Sequence, residues 1–152
     1  MSVPTKDRIL VIVQILLLVA VSFANYAPLN FTVSPVVEFI GGLLCGTGAV
    51  LGLAAVAGLG RSLSPYPTPT SENELRTTGV FRYARHPIYT AILLFFLGFS
   101  LYFGSGLRLI LLVVLAAFLY YKSSYEEELL VERYGAAYEG YRGRTGRFTP
   151  WF

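Results

Sequence analysis

The residues that could do chemistry are concentrated in one short stretch and one acidic pair. Residues 79–89 read Gly-Val-Phe-Arg-Tyr-Ala-Arg-His-Pro-Ile-Tyr and include the only histidine of the chain, His86. Pro87 suits the first position of a helix, because its missing N–H would be unpaired there in any case. A helix that begins directly after Arg82, Arg85 and His86 predicts a site for a carboxylate or a phosphate.

Glu126 and Glu127 form the acidic pair. They lie about 100° apart around a helix, so one of them faces inward in either rotation. Carboxylates accept hydrogen bonds from an ammonium group or a ribose diol. Tyr83, Tyr89 and Tyr134 offer faces for a flat heterocycle or a cation. Together these groups suit a zwitterionic nucleoside such as S-adenosylmethionine.

Each of these features also has a plainer interpretation. Arginines beside an apolar run are usually topology anchors, and a single His-Pro pair is often an ordinary loop. A run of glutamates is usually a solvated helix end, and tyrosines often mark the membrane interface. The residue types alone therefore predict a helical membrane protein with a polar cytoplasmic face.

The composition supports a membrane protein. The chain has 152 residues, of which 55% are hydrophobic and 14% charged, against about 25% charged in a typical soluble domain. The charge lies in short islands between apolar runs, which predicts one all-α membrane domain over residues 1–152. The net charge of +3 and the single cysteine favour headgroup contacts over nucleic acid and exclude an intrachain disulfide. No Cys/His cluster has metal-ligand spacing, so no metal is expected. We expect four spans, at about 9–27, 36–59, 87–103 and 107–123.

Charge also predicts the orientation of these spans. With four spans both ends share one side, and every lysine and arginine except Arg108 lies there, which makes that side the cytoplasm. The first run can also be interpreted as a signal peptide. In the second, Gly42 and Gly46, and Gly48 and Gly52, have the four-residue spacing typical of close helix packing.

The polar segments are expected on the cytoplasmic side. A helix over residues 107–134 would be about 40 Å long, roughly 10 Å more than the hydrocarbon needs, so it projects into the cytoplasm and ends near Gly135. Three prolines predict an extended stretch over residues 64–71, of which residues 64–69 are called the proline segment. Residues 71–74 predict a short helix start, and the tail, residues 136–152, is basic and aromatic up to Trp151.

The order of the residues is more specific than their types. Residues 79–89 follow Gly-x-x-Arg-Tyr-x-Arg-His-Pro-x-Tyr, and residues 126–141 follow Glu-Glu-x-x-Leu-x-x-x-aromatic-Gly-x-x-Tyr-x-x-Tyr after an apolar hairpin. At this separation the two motifs resemble the isoprenylcysteine carboxyl methyltransferase and phospholipid methyltransferase superfamily. The resemblance covers about half of the chain, residues 77–152.

The resemblance implies an integral membrane methyltransferase whose cofactor, S-adenosylmethionine, binds to residues 77–152. The residues that it implies for the cofactor are Tyr83, His86, Pro87, Tyr89, Glu126, Glu127 and Tyr134. The candidates near the transferred methyl group and the acceptor are Arg85, Glu127 and Arg133. No metal is required.

The acceptor is expected to be a membrane-embedded, lipid-like molecule. The resemblance is greatest to isoprenylcysteine carboxyl O-methyltransferases, with phospholipid (ethanolamine) N-methyltransferases as the alternative. A carboxylate acceptor needs no base, and Arg133 can orient it. An amine must lose a proton, for which Glu127 is the candidate base. An NADPH-dependent relative of sterol reductases and a non-catalytic membrane protein also remain open. The proline segment and the tail are expected to cover the cofactor.

Overall fold

The protein is built from α-helices. A computed structural model describes residues 4–69 and 74–150. Within these ranges the α-helices are α1 Thr5–Phe23, α2 Pro35–Leu59, α3 Pro87–Tyr102, α4 Gly106–Tyr134 and α5 Ala136–Arg142, joined by turns of 3-10 helix. The described residues contain no β-strand, which confirms the all-α prediction. Most of the predicted helix start at 71–74, and Trp151, lie outside the described residues.

The helices α2 and α3 are in direct backbone contact. A Cβ atom added at Gly48 would lie 2.7 Å from the Phe95 amide nitrogen, and one added at Gly41 would lie 2.8 Å from the Gly98 carbonyl oxygen. A Cβ atom at Gly46 would meet nothing within 4 Å. The predicted close packing of the second span is therefore present, although it depends on Gly41 and Gly48 and not on Gly46.

The long helix α4 connects the two halves of the bundle. Both α1 and α3 pack against α4. The buried apolar cluster contains Val21 of α1, Tyr89 of α3, and Leu112, Leu115 and Leu119 of α4. Burial of each such side chain stabilises the fold by about 1.5–3 kcal/mol. This packing fixes α4 against the first turn of α3, where the motif residues lie.

In the part of the chain that the structure describes, two helices, α2 and α4, are long and apolar enough to cross a membrane, whereas α3 is apolar but only 16 residues long. α4 is one continuous helix of 29 residues. It ends before Gly135, whose φ of 52° belongs to the left-handed region that glycine adopts readily. The predicted long fourth helix and its end are thus confirmed.

Candidate functional site

The first turn of α3 is fixed by backbone hydrogen bonds to the tail. The Arg85 N–H donates to the Gly146 carbonyl at 2.9 Å, and the His86 N–H donates to the Arg147 carbonyl at 3.0 Å. One turn later the Thr90 hydroxyl donates to the Phe148 carbonyl at 2.7 Å. Residues 146–148 therefore lie along the start of α3 and hold its arginine and histidine in place.

Glu127 is the centre of a buried ionic cluster. Its side chain is 2% exposed, and its oxygens lie 2.9 Å from guanidinium nitrogens of Arg85 and Arg147. Burial alone would raise the pKa of Glu127. The hydrogen bonds from His86 and Arg147, with the charge of Arg85, outweigh burial and lower this pKa to about 2. Glu127 lies beyond residue 123, the predicted end of the fourth membrane span. A carboxylate held in this way stays ionised near neutral pH and pairs with the cations around it.

His86 connects the two carboxylates. Its Nε2 lies 3.2 Å from Glu127 Oε1, and its Nδ1 lies 3.3 Å from Glu126 Oε2. Burial lowers the pKa of His86, but the hydrogen bonds to Glu126 and Glu127 outweigh it and raise the pKa above 6.5. Both ring nitrogens are donors only in the protonated imidazole. The arrangement therefore favours an imidazolium between two carboxylates.

Glu126 faces the other way, towards a cavity. The Tyr89 hydroxyl donates to Glu126 Oε1 at 2.5 Å, and the ring of Tyr89 is stacked on that of His86 with 5.4 Å between their centroids. The Lys122 ammonium nitrogen lies 3.9 Å from the same Glu126 oxygen. Glu126 is more exposed than Glu127, with 16% of its side chain accessible. Of the two acids, Glu126 is the one available to a ligand.

The cavity has a volume of about 460 Å³, within the range of small-molecule sites. Residues of all four long helices line it, together with residues of the proline segment. Its polar wall contains Gln14, Arg85, His86, Lys122 and Glu126. The rest is largely apolar and aromatic and includes Val56, Leu59, Pro65, Tyr66, Pro67, Phe81, Ile88 and Leu130. The cavity, whose lining also includes the charged residues Glu74 and Arg76, thus combines a limited set of polar groups with a largely apolar and aromatic lining.

Most of the predicted site residues lie at this cavity. Its lining includes Arg85, His86, Pro87, Tyr89, Glu126 and Tyr134. Glu127 lies behind that wall, in the ionic cluster. On α4 the lining residues are spaced four apart, at 122, 126, 130 and 134, so one stripe of the helix faces the cavity.

The structure does not bring Tyr83 and Arg133 to the cavity. Tyr83 follows a 3-10 turn and is 60% exposed. Arg133 lies off the cavity-facing stripe of α4 and places its guanidinium 5.4 Å from the ring centre of Tyr134. Neither residue is part of the cavity lining. The orientation of both side chains depends on the geometry of their own turn, which the motifs do not specify.

Sequence reasoning missed three contributors to the site: Gln14, Lys122 and Arg147. Lys122 is a lone cation at the end of an apolar run, four residues before Glu126, and that spacing was a usable signal. Gln14 is the only strongly polar residue between Arg8 and Ser22. Its isolation in an apolar run was also a usable signal. Arg147 had no comparable signal, because its role depends on the path of the tail.

The sequence model of the phospholipid methyltransferase family matches residues 36–137. The chain belongs to this family. The match confirms the superfamily resemblance, and membership implies methyltransferase activity. A comparison with curated proteins found no match. The region shared with the phospholipid methyltransferases includes α2, α3 and α4, and therefore most of the cavity wall. Gln14 and Arg147 lie outside it.

Proposed function

We propose that this protein is an S-adenosylmethionine-dependent methyltransferase that acts on a membrane-embedded, lipid-like acceptor. In this proposal α1, α2, α3 and the part of α4 up to about residue 123 are four membrane spans, and the cavity and both chain ends lie on the cytoplasmic side. The observation that carries the proposal is the cavity itself. It places Glu126, His86 and Tyr89 in one wall, beside helices that are long and apolar enough to cross a membrane.

The residues of the cavity fit S-adenosylmethionine. Glu126 can accept from ribose hydroxyls or an ammonium group, and Arg85 and His86 favour a carboxylate. Tyr66, Phe81 and Tyr134 supply aromatic faces. Tyr138 also lines the cavity, and its buried hydroxyl has no hydrogen-bond partner among the described residues. An unpaired buried hydroxyl is costly, and a polar ligand would remove that cost.

The residues of this chain would contribute mainly by positioning the reactants and by excluding water from the cavity. The bound cofactor supplies an electrophilic methyl group on a sulfonium, which is a good leaving group. Apolar walls and the proline segment would exclude water, and Glu126 would orient the nucleoside. Glu127 would hold Arg85 and His86 in the cavity wall without touching the reacting atoms. The tail supports this through its contacts with α3.

The charge distribution favours a carboxylate acceptor, as in an isoprenylcysteine. A carboxylate needs no base for methylation, whereas an ammonium group must first lose a proton. Glu127 is committed to Arg85, Arg147 and His86. Glu126 already accepts from Tyr89 and faces His86. Among the described carboxylates, neither member of the acidic pair is placed as a free base.

A phospholipid amine is the second candidate acceptor, and one observation favours it. The family model that matches residues 36–137 is that of phospholipid methyltransferases. In that case deprotonation would have to use Glu126 or occur before the amine binds.

Two measurements test the proposal. Calorimetry in detergent should detect binding of S-adenosylhomocysteine, weakened in Glu126→Gln. Binding of NADPH without binding of S-adenosylhomocysteine would favour a reductase, and binding of neither would favour a non-catalytic protein. Lipid extracts incubated with labelled S-adenosylmethionine then identify the acceptor. A methyl ester releases labelled methanol in alkali, whereas an N-methyl group keeps its label.

A further inference from the structure

Two charged side chains next to the cavity are fully buried and have no role in the chemistry proposed above. Asp7, in the first turn of α1, is 0% exposed, and Lys122 of α4 is 1% exposed. An apolar residue at either position could be buried without the electrostatic cost of burying a charge. Buried charges are expensive unless they are paired and hydrogen bonded. Their partners therefore indicate what they are for.

Both residues bind the backbone of the proline segment. Asp7 Oδ2 accepts from the Thr68 N–H at 2.9 Å. The Lys122 ammonium donates to the Pro65 carbonyl at 3.0 Å and to Gln14 Oε1 at 2.6 Å. Two helices thus hold the segment at points three residues apart.

The proline segment has few other means of attachment. Pro65, Pro67 and Pro69 have no backbone N–H, so the segment cannot form a regular hydrogen-bonded structure. Among the described residues, its other side-chain hydrogen bonds are local, between Ser64 and Tyr66. Even so, it forms one wall of the cavity through its three prolines and Tyr66. Asp7 and Lys122 therefore add polar anchors to the packing of Pro67, which is buried.

We propose that Asp7 and Lys122 are positioning residues that hold the proline segment over the bound nucleoside and thereby set its rate of release. The inference rests on the function proposed above. Substitution of Lys122 should change the release rate more than substitution of Asp7, because the Lys122 ammonium also lies 3.9 Å from Glu126. Lys122 therefore connects the proline segment to the Glu126 carboxylate in the cavity lining. In this proposal the nucleoside leaves when the segment moves, and both polar anchors oppose that movement.

The test measures release of S-adenosylhomocysteine from the full-length protein in detergent, by stopped-flow competition. We expect about tenfold faster release in Lys122→Met, the size of effect that loss of one charged hydrogen bond produces. Asp7→Ala should also release faster, whereas Asp7→Asn, which keeps an acceptor for the Thr68 N–H, should stay close to the parent. Release at the parental rate in both Lys122→Met and Asp7→Ala would overturn the inference.

Arg108→Met is the matched control. Arg108 is also an α4 cation that contacts α1, through the Ser22 carbonyl at 3.5 Å, but it is at the other end of the bundle. It should change stability without changing release. Equal acceleration in Arg108→Met and Lys122→Met would indicate a general packing effect and would refute the positioning role.

Hydrogen exchange of the segment gives a readout that does not need the ligand. The Thr68 amide should exchange faster in both Lys122→Met and Asp7→Ala, and unchanged exchange would count against the anchors. The two proposals fail separately. If the parent protein does not bind S-adenosylhomocysteine, the proposed function fails. If the parent binds it and the variants release it at the same rate, only this inference fails.

Discussion

Arg147 holds Glu127 with two parallel hydrogen bonds, from Nε to Oε1 at 3.1 Å and from Nη2 to Oε2 at 2.9 Å. The pair joins the tail to α4 across 20 residues of sequence. Two-point guanidinium–carboxylate pairs are stronger and more directional than single contacts. Through its third nitrogen, Arg147 also donates to the Ser124 hydroxyl at 2.7 Å.

Loss of this pair should destabilise the protein. Arg147→Met removes one of the partners of a carboxylate that is 2% exposed, and we expect the free energy of unfolding to fall by about 2–3 kcal/mol. Chemical denaturation in detergent measures the change. Arg144→Met removes a nearby exposed arginine and should cost little. Equal losses in the two variants would show that the contact with Glu127 does not stabilise the fold.

The two adjacent glutamates should respond differently to the same substitution. Glu127→Gln leaves Arg85 and Arg147 without their shared counter-charge, so stability should fall by about 3 kcal/mol. Glu126→Gln keeps an acceptor for the Tyr89 hydroxyl but removes a counter-charge of His86 and Lys122, so stability should fall less than in Glu127→Gln, while the affinity for S-adenosylhomocysteine falls about tenfold. Denaturation and calorimetry on the same preparations measure both effects. The reverse pattern would mean that the roles of the two acids have been exchanged.

Stability should depend on pH in two separate ranges. The pKa of Glu127 is lowered from 4.5 to about 2 in the folded protein. The stability that this gives is present above pH 4.5 and is lost as the pH falls towards 2. The pKa of His86 is raised above 6.5, so its contribution is full below pH 6.5 and is lost as the pH rises through the raised value.

Unfolding measured as a function of pH tests both parts of this prediction. Glu127→Gln should flatten the acid side of the profile, and His86→Gln should flatten the alkaline side. A parent profile without an alkaline decline that depends on His86 would contradict the imidazolium between the two carboxylates.

The sequence predicted the local parts of this arrangement well. His86, Pro87 and Tyr89 lie within four residues of one another, so one helix start fixes all three. The i, i+4 stripe of α4 brings Glu126 to the cavity, although the sequence left open which of Glu126 and Glu127 would face it. Arg147 could not be predicted, because its place depends on how the tail returns over α3. The orientations of Tyr83 and Arg133 depend on the geometry of their own turn, which the motifs do not specify.

Two buried tyrosines of α5 provide another contrast. The Tyr141 hydroxyl donates to the Phe81 carbonyl at 2.5 Å, whereas the Tyr138 hydroxyl has no partner among the described residues. Tyr141→Phe should therefore cost about 1 kcal/mol of stability, and Tyr138→Phe should cost nothing without ligand. If the Tyr138 hydroxyl binds the cofactor, Tyr138→Phe should instead weaken S-adenosylhomocysteine binding. Denaturation with and without S-adenosylhomocysteine separates these effects. A large loss for Tyr138→Phe without ligand would mean that its hydroxyl is already hydrogen bonded.

The contact between α2 and α3 should tolerate no added side chain. A Cβ atom at Gly98 would overlap the Gly41 carbonyl oxygen and lie 2.7 Å from the Cys45 amide nitrogen. Both neighbours are helix backbone, which cannot move aside alone. Gly98→Ala should therefore destabilise the protein by about 1–3 kcal/mol. At Gly46 a Cβ atom meets nothing within 4 Å, so Gly46→Ala should be neutral or slightly stabilising, because alanine is the better helix former. Thermal unfolding of the two variants in the same detergent measures the difference, and equal midpoints would contradict the backbone contact between α2 and α3.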